Sequence, residues 1–134
     1  MRCLRAAGKQ ACIGYRALLE TAVPGNTETM AAGAAEGAAR KAGAEDINFT
    51  VFGSGNRAAT IIGRATQKII EEGDMVMAAL AVQYEGYVST VEYPFVAGKA
   101  NDGQKRFLVP FLRPPMSSRN IWPTASLPAR WSRP

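Results

Sequence analysis

Few side chains in this sequence can do covalent chemistry, and none has the neighbour it would need. Ser54 and Ser89 are possible nucleophiles, yet the 134 residues include no histidine. That excludes a Ser-His-Asp or Cys-His pair and every imidazole metal ligand. Cys3 and Cys12 lie in a segment with helical periodicity. Their separation, at roughly 100° per residue, puts them on opposite faces, so they cannot pair with each other. Free thiols without a Cys-x-x-Cys fit a reducing compartment, hence a cytoplasmic location, and no zinc site. Gly53-Ser54-Gly55-Asn56 has the glycines of a phosphate loop, but no Gly-Lys-Ser/Thr or Gly-x-Gly-x-x-Gly follows, so it reads as a turn. Asp74, after Gly73, also reads as a turn residue rather than a base. Glu92 is the one carboxylate inside its predicted strand, and its side chain must face either a pocket or solvent.

Charge divides the chain in two. Residues 1–104 hold 10 basic and 11 acidic side chains, net −1, whereas residues 105–134 hold six basic and no acidic ones. Six of the eight prolines and both tryptophans, Trp122 and Trp131, also lie in 105–134. The sequence pI of about 9.6 therefore describes a tail beside a nearly neutral body. Composition predicts a disordered tail. Arg with interleaved Trp would suit an acidic partner or a single strand, but nucleic acid is not the expected partner. The longest unbroken apolar run, Met75–Val82, is far short of the roughly 18 residues of a membrane span, and no membrane association is expected.

The elements that must position these residues follow from periodicity. Residues 2–22 read as a helix with one apolar stripe, Leu4, Ala11 and Leu18 beside Gly8, Tyr15 and Ala22. It stops at Val23-Pro24-Gly25. Residues 27–42 read as a second helix, capped by Thr27, with Glu28 favourable at its positive end and Gly43 as its stop. Ile47–Phe52 reads as a strand and residues 57–72 mostly as loop. Met75–Gln83 and Tyr87–Ala97 read as a hairpin around Tyr84-Glu85-Gly86-Tyr87. Pro94 places the second hairpin strand at an edge. Met75 and Met77 read as core residues, and Tyr84 and Tyr87 as packing residues. Residues 101–109 could start another helix, which Pro110 should stop. The fold class is α/β (α+β), with two helices on a small, mainly antiparallel sheet.

Five short motifs occur in a telling order: Val23-Pro24-Gly25-x-Thr27-Glu28, Gly43-Ala44, Phe52-Gly53-Ser54-Gly55, Glu72-Gly73-Asp74 and Tyr84-x-Gly86-Tyr87. In this order and spacing the chain resembles, over about residues 5–104, the first half of the pita-bread domain of the creatinase, aminopeptidase P and methionine aminopeptidase superfamily. It is most similar to the Xaa-Pro peptidase and creatinase branch. The resemblance implies hydrolysis of C–N bonds in Xaa-Pro peptides or creatine. It also implies two divalent metals held by two Asp from this half and a His and two Glu from the second half. The two Asp positions are Ala79 and Thr90 here, and the family's substrate-side His falls at Ile62. Neither methyl nor lone hydroxyl holds a divalent metal, so no metal and no cofactor are expected.

The creatinase type keeps the fold without metal. Its carboxylate two residues beyond the second Asp position corresponds to Glu92, which implies a grip on a small guanidinium or peptide ligand. The next position, usually Arg, is Tyr93. The resemblance thus implies a truncated or degenerate hydrolase, inactive as this chain. The alternatives are a noncatalytic subunit binding through Glu92, or a partner-binding tail. Residues 1–104 form the partial domain and 105–134 the tail. A shift of reading frame near residue 104 would explain why match and composition change together. A half-domain left alone is expected to self-associate, as a homodimer or by aggregation.

Overall fold

The computed structural model describes residues 1–60 and 62–112. The expectation of disorder for residues 113–134, and of partner binding there, lies outside the described residues. The described chain runs α1 (Arg2–Thr21), α2 (Glu28–Lys41), β1 (Asp46–Ser54), a 3-10 turn (Gly55–Ala59), β2 (Met75–Tyr84), β3 (Tyr87–Val96) and α3 (Asp102–Leu112). The three strands form one antiparallel sheet in the order β1-β2-β3.

Alternation along the strands decides which face is covered. Val76, Ala78, Leu80 and Val82 of β2 share a face with Phe52 of β1 and with Val91 and Phe95 of β3, and all are buried. They pack with Ala11, Tyr15 and Leu18 of α1 and Ala31, Ala35 and Ala39 of α2 as one core. Residues directly opposite in antiparallel strands point the same way. The other face therefore carries Val51, Met77, Ala79, Ala81, Thr90, Glu92 and Pro94, and neither α1 nor α2 covers it.

Both long helices form where the sequence predicts. Thr27 accepts the Met30 N–H at 3.3 Å as the N-cap of α2, and Gly43, at φ +98°, takes the left-handed stop. In α1 the apolar stripe is buried from Ala7 to Leu18, but Leu4 at its start is exposed. The helices approach the sheet closely because their contact residues are small. A Cβ on Gly14 would lie 2.6 Å from Leu80 Cδ2 and 2.8 Å from the Ala35 carbonyl oxygen. Tyr15, across the same face, donates its hydroxyl hydrogen bond to the Tyr93 carbonyl and so ties α1 to β3.

Three sequence expectations are corrected. β1 is longer than Ile47–Phe52. It runs through Gly53 to Ser54, with an irregularity of register between Ile47 and Phe49, because β2 supplies partners along its whole length. Gly55–Ala59 then winds into a 3-10 turn where loop was expected. Pro110 does not end the last helix; it sits inside α3. Its missing N–H strips a partner from the Arg106 carbonyl, and Arg106 is exposed, so water can replace it. α3 starts from a reciprocal cap: Asn101 N–H donates to Gln104 Oε1, and Gln104 N–H to Asn101 Oδ1, both at 2.9 Å. It runs across the compositional boundary at residue 104, so residues 105–112 are helical.

Substituting Gly14→Ala should destabilise the fold by about 1–3 kcal/mol, since the new methyl meets a backbone oxygen that cannot rotate away. Urea denaturation followed by circular dichroism checks this; an unchanged midpoint would contradict the close approach of α1, α2 and β2.

Candidate functional site

The most tightly bonded side chain is one the sequence assigned to a helix dipole. Glu28 is the first residue of α2 and is fully buried. Its Oε1 accepts from Ser54 N–H at 2.9 Å and Ser54 Oγ at 2.8 Å. Its Oε2 accepts from Thr66 N–H at 2.9 Å, Thr66 Oγ1 at 2.8 Å and Arg57 Nε at 3.3 Å. Burial, the largest single influence, would raise the Glu28 pKa; the hydrogen bonds from Thr66 and Ser54 together outweigh it and hold it below the ordinary value of 4.5.

That carboxylate closes the chain between β1 and β2 into a fixed loop. Arg57 also donates to the Arg64 carbonyl at 2.8 Å, and Phe52 N–H donates to the Gly63 carbonyl at 2.9 Å. The segment after Gly63 folds back on the start of α2. Glu28 N–H reaches the Lys68 carbonyl and Thr29 N–H the Thr66 carbonyl, so free N–H groups of the helix find partners in the loop. Asp74 is a turn residue, as expected: it accepts from Glu71 N–H at 3.0 Å and pairs with Lys68 Nζ at 2.7 Å.

The residues singled out in the sequence fall into two places. Ala79 stands directly across from Glu92, and Thr90 across from Ala81, so the two positions that the resemblance assigns to metal ligands share with Glu92 the face that α1 and α2 leave uncovered. Ala79 is buried among its neighbours, whereas Thr90 and Glu92 are exposed. Glu92 makes no ion pair among the described residues. Ile62 lies apart, on the latched loop, with 79% of its surface exposed.

A shallow groove of about 300 Å³ opens at one end of the same face, lined by Gly55, Ala58, Ala59, Met77, Pro94 and Phe107, among others. Met75 and Met77 border it, half-buried, rather than filling the core as expected. Glu92 lies two residues along β3 from Pro94, on the same side of the sheet, but does not line the groove. The donor set does not fit a divalent cation: a methyl, a hydroxyl and one exposed carboxylate cannot supply its shell of oxygen or nitrogen ligands. Among the described residues no three His, Cys, Asp or Glu side chains cluster as metal ligands.

The remaining reactive groups are quiet. Ser54 spends its hydroxyl on Glu28. Burial pushes the Cys12 thiol up, and Arg16 offsets this only in part, so its nucleophilic thiolate form is suppressed. Burial pushes the Tyr15 phenol far above its ordinary range, despite its bond to the Tyr93 carbonyl. No helix of the described residues is long and apolar enough to cross a membrane. Sequence reasoning missed Glu28 as the centre of a network, together with Arg57 and Thr66. A signal existed, because Glu28 is in helical phase with the buried Ala31, Ala32, Ala35 and Ala39. A carboxylate on an apolar stripe must find donors.

Against known proteins, the model of metallopeptidase family M24 matches residues 2–111. The chain belongs to metallopeptidase family M24. A Xaa-Pro dipeptidase of Pyrococcus horikoshii is 36% identical over 90 residues, which are 66% of this chain and 26% of that protein. An uncharacterized peptidase of Bacillus subtilis is 31% identical over 106 residues, covering 78% of this chain and 30% of the relative. The solved prolidase of Pyrococcus furiosus superposes with a TM-score of 0.74 at 31% identity, over 78% of this chain and 32% of that one. The helices and antiparallel sheet are thus half of a pita-bread fold, and the chain spans about a third or less of the length of these M24 relatives.

The loop latch should be acid-sensitive. The folded Glu28 pKa lies below the unfolded one, so its contribution is present above about pH 4.5 and fades as pH falls through the folded value. Glu28→Gln should cost about 3 kcal/mol at pH 7, because an amide N–H₂ would face donors where an oxygen accepted. The same variant should lose less stability than the parent between pH 5 and pH 3. Thermal melts across that range check both statements.

Proposed function

We propose that this M24 chain keeps the scaffold of the Xaa-Pro hydrolases and has lost, over these 134 residues, their metal-dependent hydrolysis. The observation that carries the reading is the open sheet face. The two positions where the resemblance calls for metal-binding aspartates hold Ala79 and Thr90, and the loop position of the family's His holds Ile62. The scaffold around them is intact: the latch on Glu28, the hairpin and the approach of α1 to the sheet are all in place. A site whose walls persist while its ligands are replaced fits a noncatalytic descendant of an enzyme.

A second reading is favoured by Glu92. It is exposed on the uncovered face and free of ion pairs among the described residues. A carboxylate so placed can take a planar guanidinium or a peptide ammonium by charge-assisted hydrogen bonds. Under this reading the chain binds what its relatives cleave.

Purified protein dialysed against Mn²⁺, Co²⁺ or Zn²⁺ should retain well under one metal per chain by elemental analysis. It should turn over neither Xaa-Pro dipeptides nor creatine above the rate in buffer. Ile62→His should not restore turnover, because a general base without the rest of its site contributes little. Stoichiometric metal with turnover by the unmodified chain would refute the proposal. Calorimetric titration with arginine or creatine separates the two readings. Heat that disappears in Glu92→Gln supports a binding role, and no heat with the parent leaves the scaffold alone.

A further inference from the structure

A second cavity, of about 450 Å³, opens where the first turns of α1 meet the turn between β2 and β3. It is lined by Arg2, Cys3 and Ala6 of α1 and by Tyr84 and Glu85. Arg2, Cys3 and Ala6 fall within about 100° of one another around the helix, so they form one wall. Tyr84 ends β2, and Glu85 opens the turn.

The two walls carry opposite charges that do not meet. Neither Arg2 nor Glu85 makes an ion pair among the described residues. The Arg2 end has further positive character. α1 starts without a side-chain cap and with no acidic residue in its first turn, so its first N–H groups and the positive end of its dipole are uncompensated. Glu85 is fixed in place. Its φ is +50°, beside Gly86 at +75°, the two positive values that a tight hairpin turn needs. Its N–H donates to Glu45 Oε2 at 2.9 Å, which sets a second negative charge nearby.

This arrangement selects among ligands. An anion would meet Glu85, a cation would meet Arg2, and a neutral apolar molecule would leave both charges unanswered. A zwitterion answers both by charge-assisted hydrogen bonds. Arg2 and Glu85 stand too far apart to pair with each other, so the ligand must hold its own charges apart. In a free amino acid they flank one carbon, whereas each added residue separates the ends of a peptide by roughly 3.3–3.6 Å. The cavity has room for this, at about three times the roughly 150 Å³ that accommodates a benzene ring.

Gln10 points to the same class. It lies one turn along from Ala6 on the same side of α1, and helix side chains lean toward the N-terminus, so it leans toward Ala6. It is 7% exposed, and its amide oxygen has no hydrogen-bond partner among the described residues. A buried acceptor without a donor is destabilising, and the backbone N–H groups of a peptide are donors.

We propose that this cavity binds a short zwitterionic peptide of two or three residues, with its carboxylate at Arg2 and the uncapped start of α1 and its ammonium at Glu85. The site shares no residue with the Glu28 latch, the groove or the Glu92 face.

The dipeptide Ala-Ala tests this on the full chain, with Cys3 as the reporter. Cys3 lines the cavity and Cys12 does not, so iodoacetamide labelling read by peptide mass mapping carries its own control. Ala-Ala should slow labelling of Cys3 several-fold, with half the effect at about 1 mM, and leave Cys12 unchanged. N-acetyl-Ala-Ala, Ala-Ala amide and free alanine should each need at least about fivefold more for the same protection. Arg2→Gln and Glu85→Gln should raise the requirement for Ala-Ala equally, whereas Glu92→Gln should not. Arg2 and Glu85 are exposed, so the circular dichroism spectrum should not change, and if a variant fails to fold the blocked peptides carry the test. No protection of Cys3 at about 20 mM Ala-Ala, well above that affinity, overturns the proposal. So does protection that the blocked peptides or free alanine match, that both cavity substitutions leave intact, or that Glu92→Gln abolishes.

Discussion

One carboxylate holds together the parts of this fold that are distant in sequence. Glu28 takes five hydrogen bonds, from the end of β1, from the 3-10 turn and from the segment that returns to α2. An unpaired charge at that depth would be strongly destabilising; with both oxygens saturated it becomes a fixed node. Its donors come from residues 54, 57 and 66, so satisfying the carboxylate and fixing the path of the loop are the same event. The N–H groups at the start of α2 are met by carbonyls of that loop in return. Remove the charge, and the helix start, the strand end and the loop lose their common partner.

The node lies apart from the residues that the family resemblance singles out. Nothing in the latch involves Ala79, Thr90 or Ile62, and the helix-facing core lies on the opposite side of the sheet. Substitutions on the uncovered face leave the core side untouched, because alternate residues of a strand serve different faces. The residue at position 79 can change while its neighbours Ala78 and Leu80 go on packing against the helices. The packed core and the uncovered face are therefore carried by interleaved sets of residues, and one can change without the other.

Legibility in the sequence followed the range of the interaction. The helices, the hairpin and the caps at Thr27 and Gly43 depend on neighbours within a few residues, and their spacing showed them. The reciprocal cap of Asn101 and Gln104 is equally local, and Pro110 does not forbid the helix because its missing N–H costs little in an exposed last turn. The full length of β1 was hidden because β2 supplies its pairing partners. The shared face of Ala79, Thr90 and Glu92 followed from strand alternation once the register was known, but period alone does not say which face the helices cover. The donors to Glu28 are 26 to 38 residues away; only the phase of Glu28 on its apolar stripe hinted that they must exist.

The alanines of α2 have a further consequence. Ala31, Ala35 and Ala39 lose no rotamer freedom when buried, so ordering this interface costs little entropy. Each also removes little apolar surface from water, so area alone contributes little. Cohesion between α2 and its neighbours must come instead from dispersion at short range, which loses roughly a quarter to a half of its strength when a gap of about 0.5–1 Å opens. An interface of this kind has a narrow well: it is stiff against separation, poor at absorbing a misplaced atom, and held in register by closeness where other cores rely on bulk.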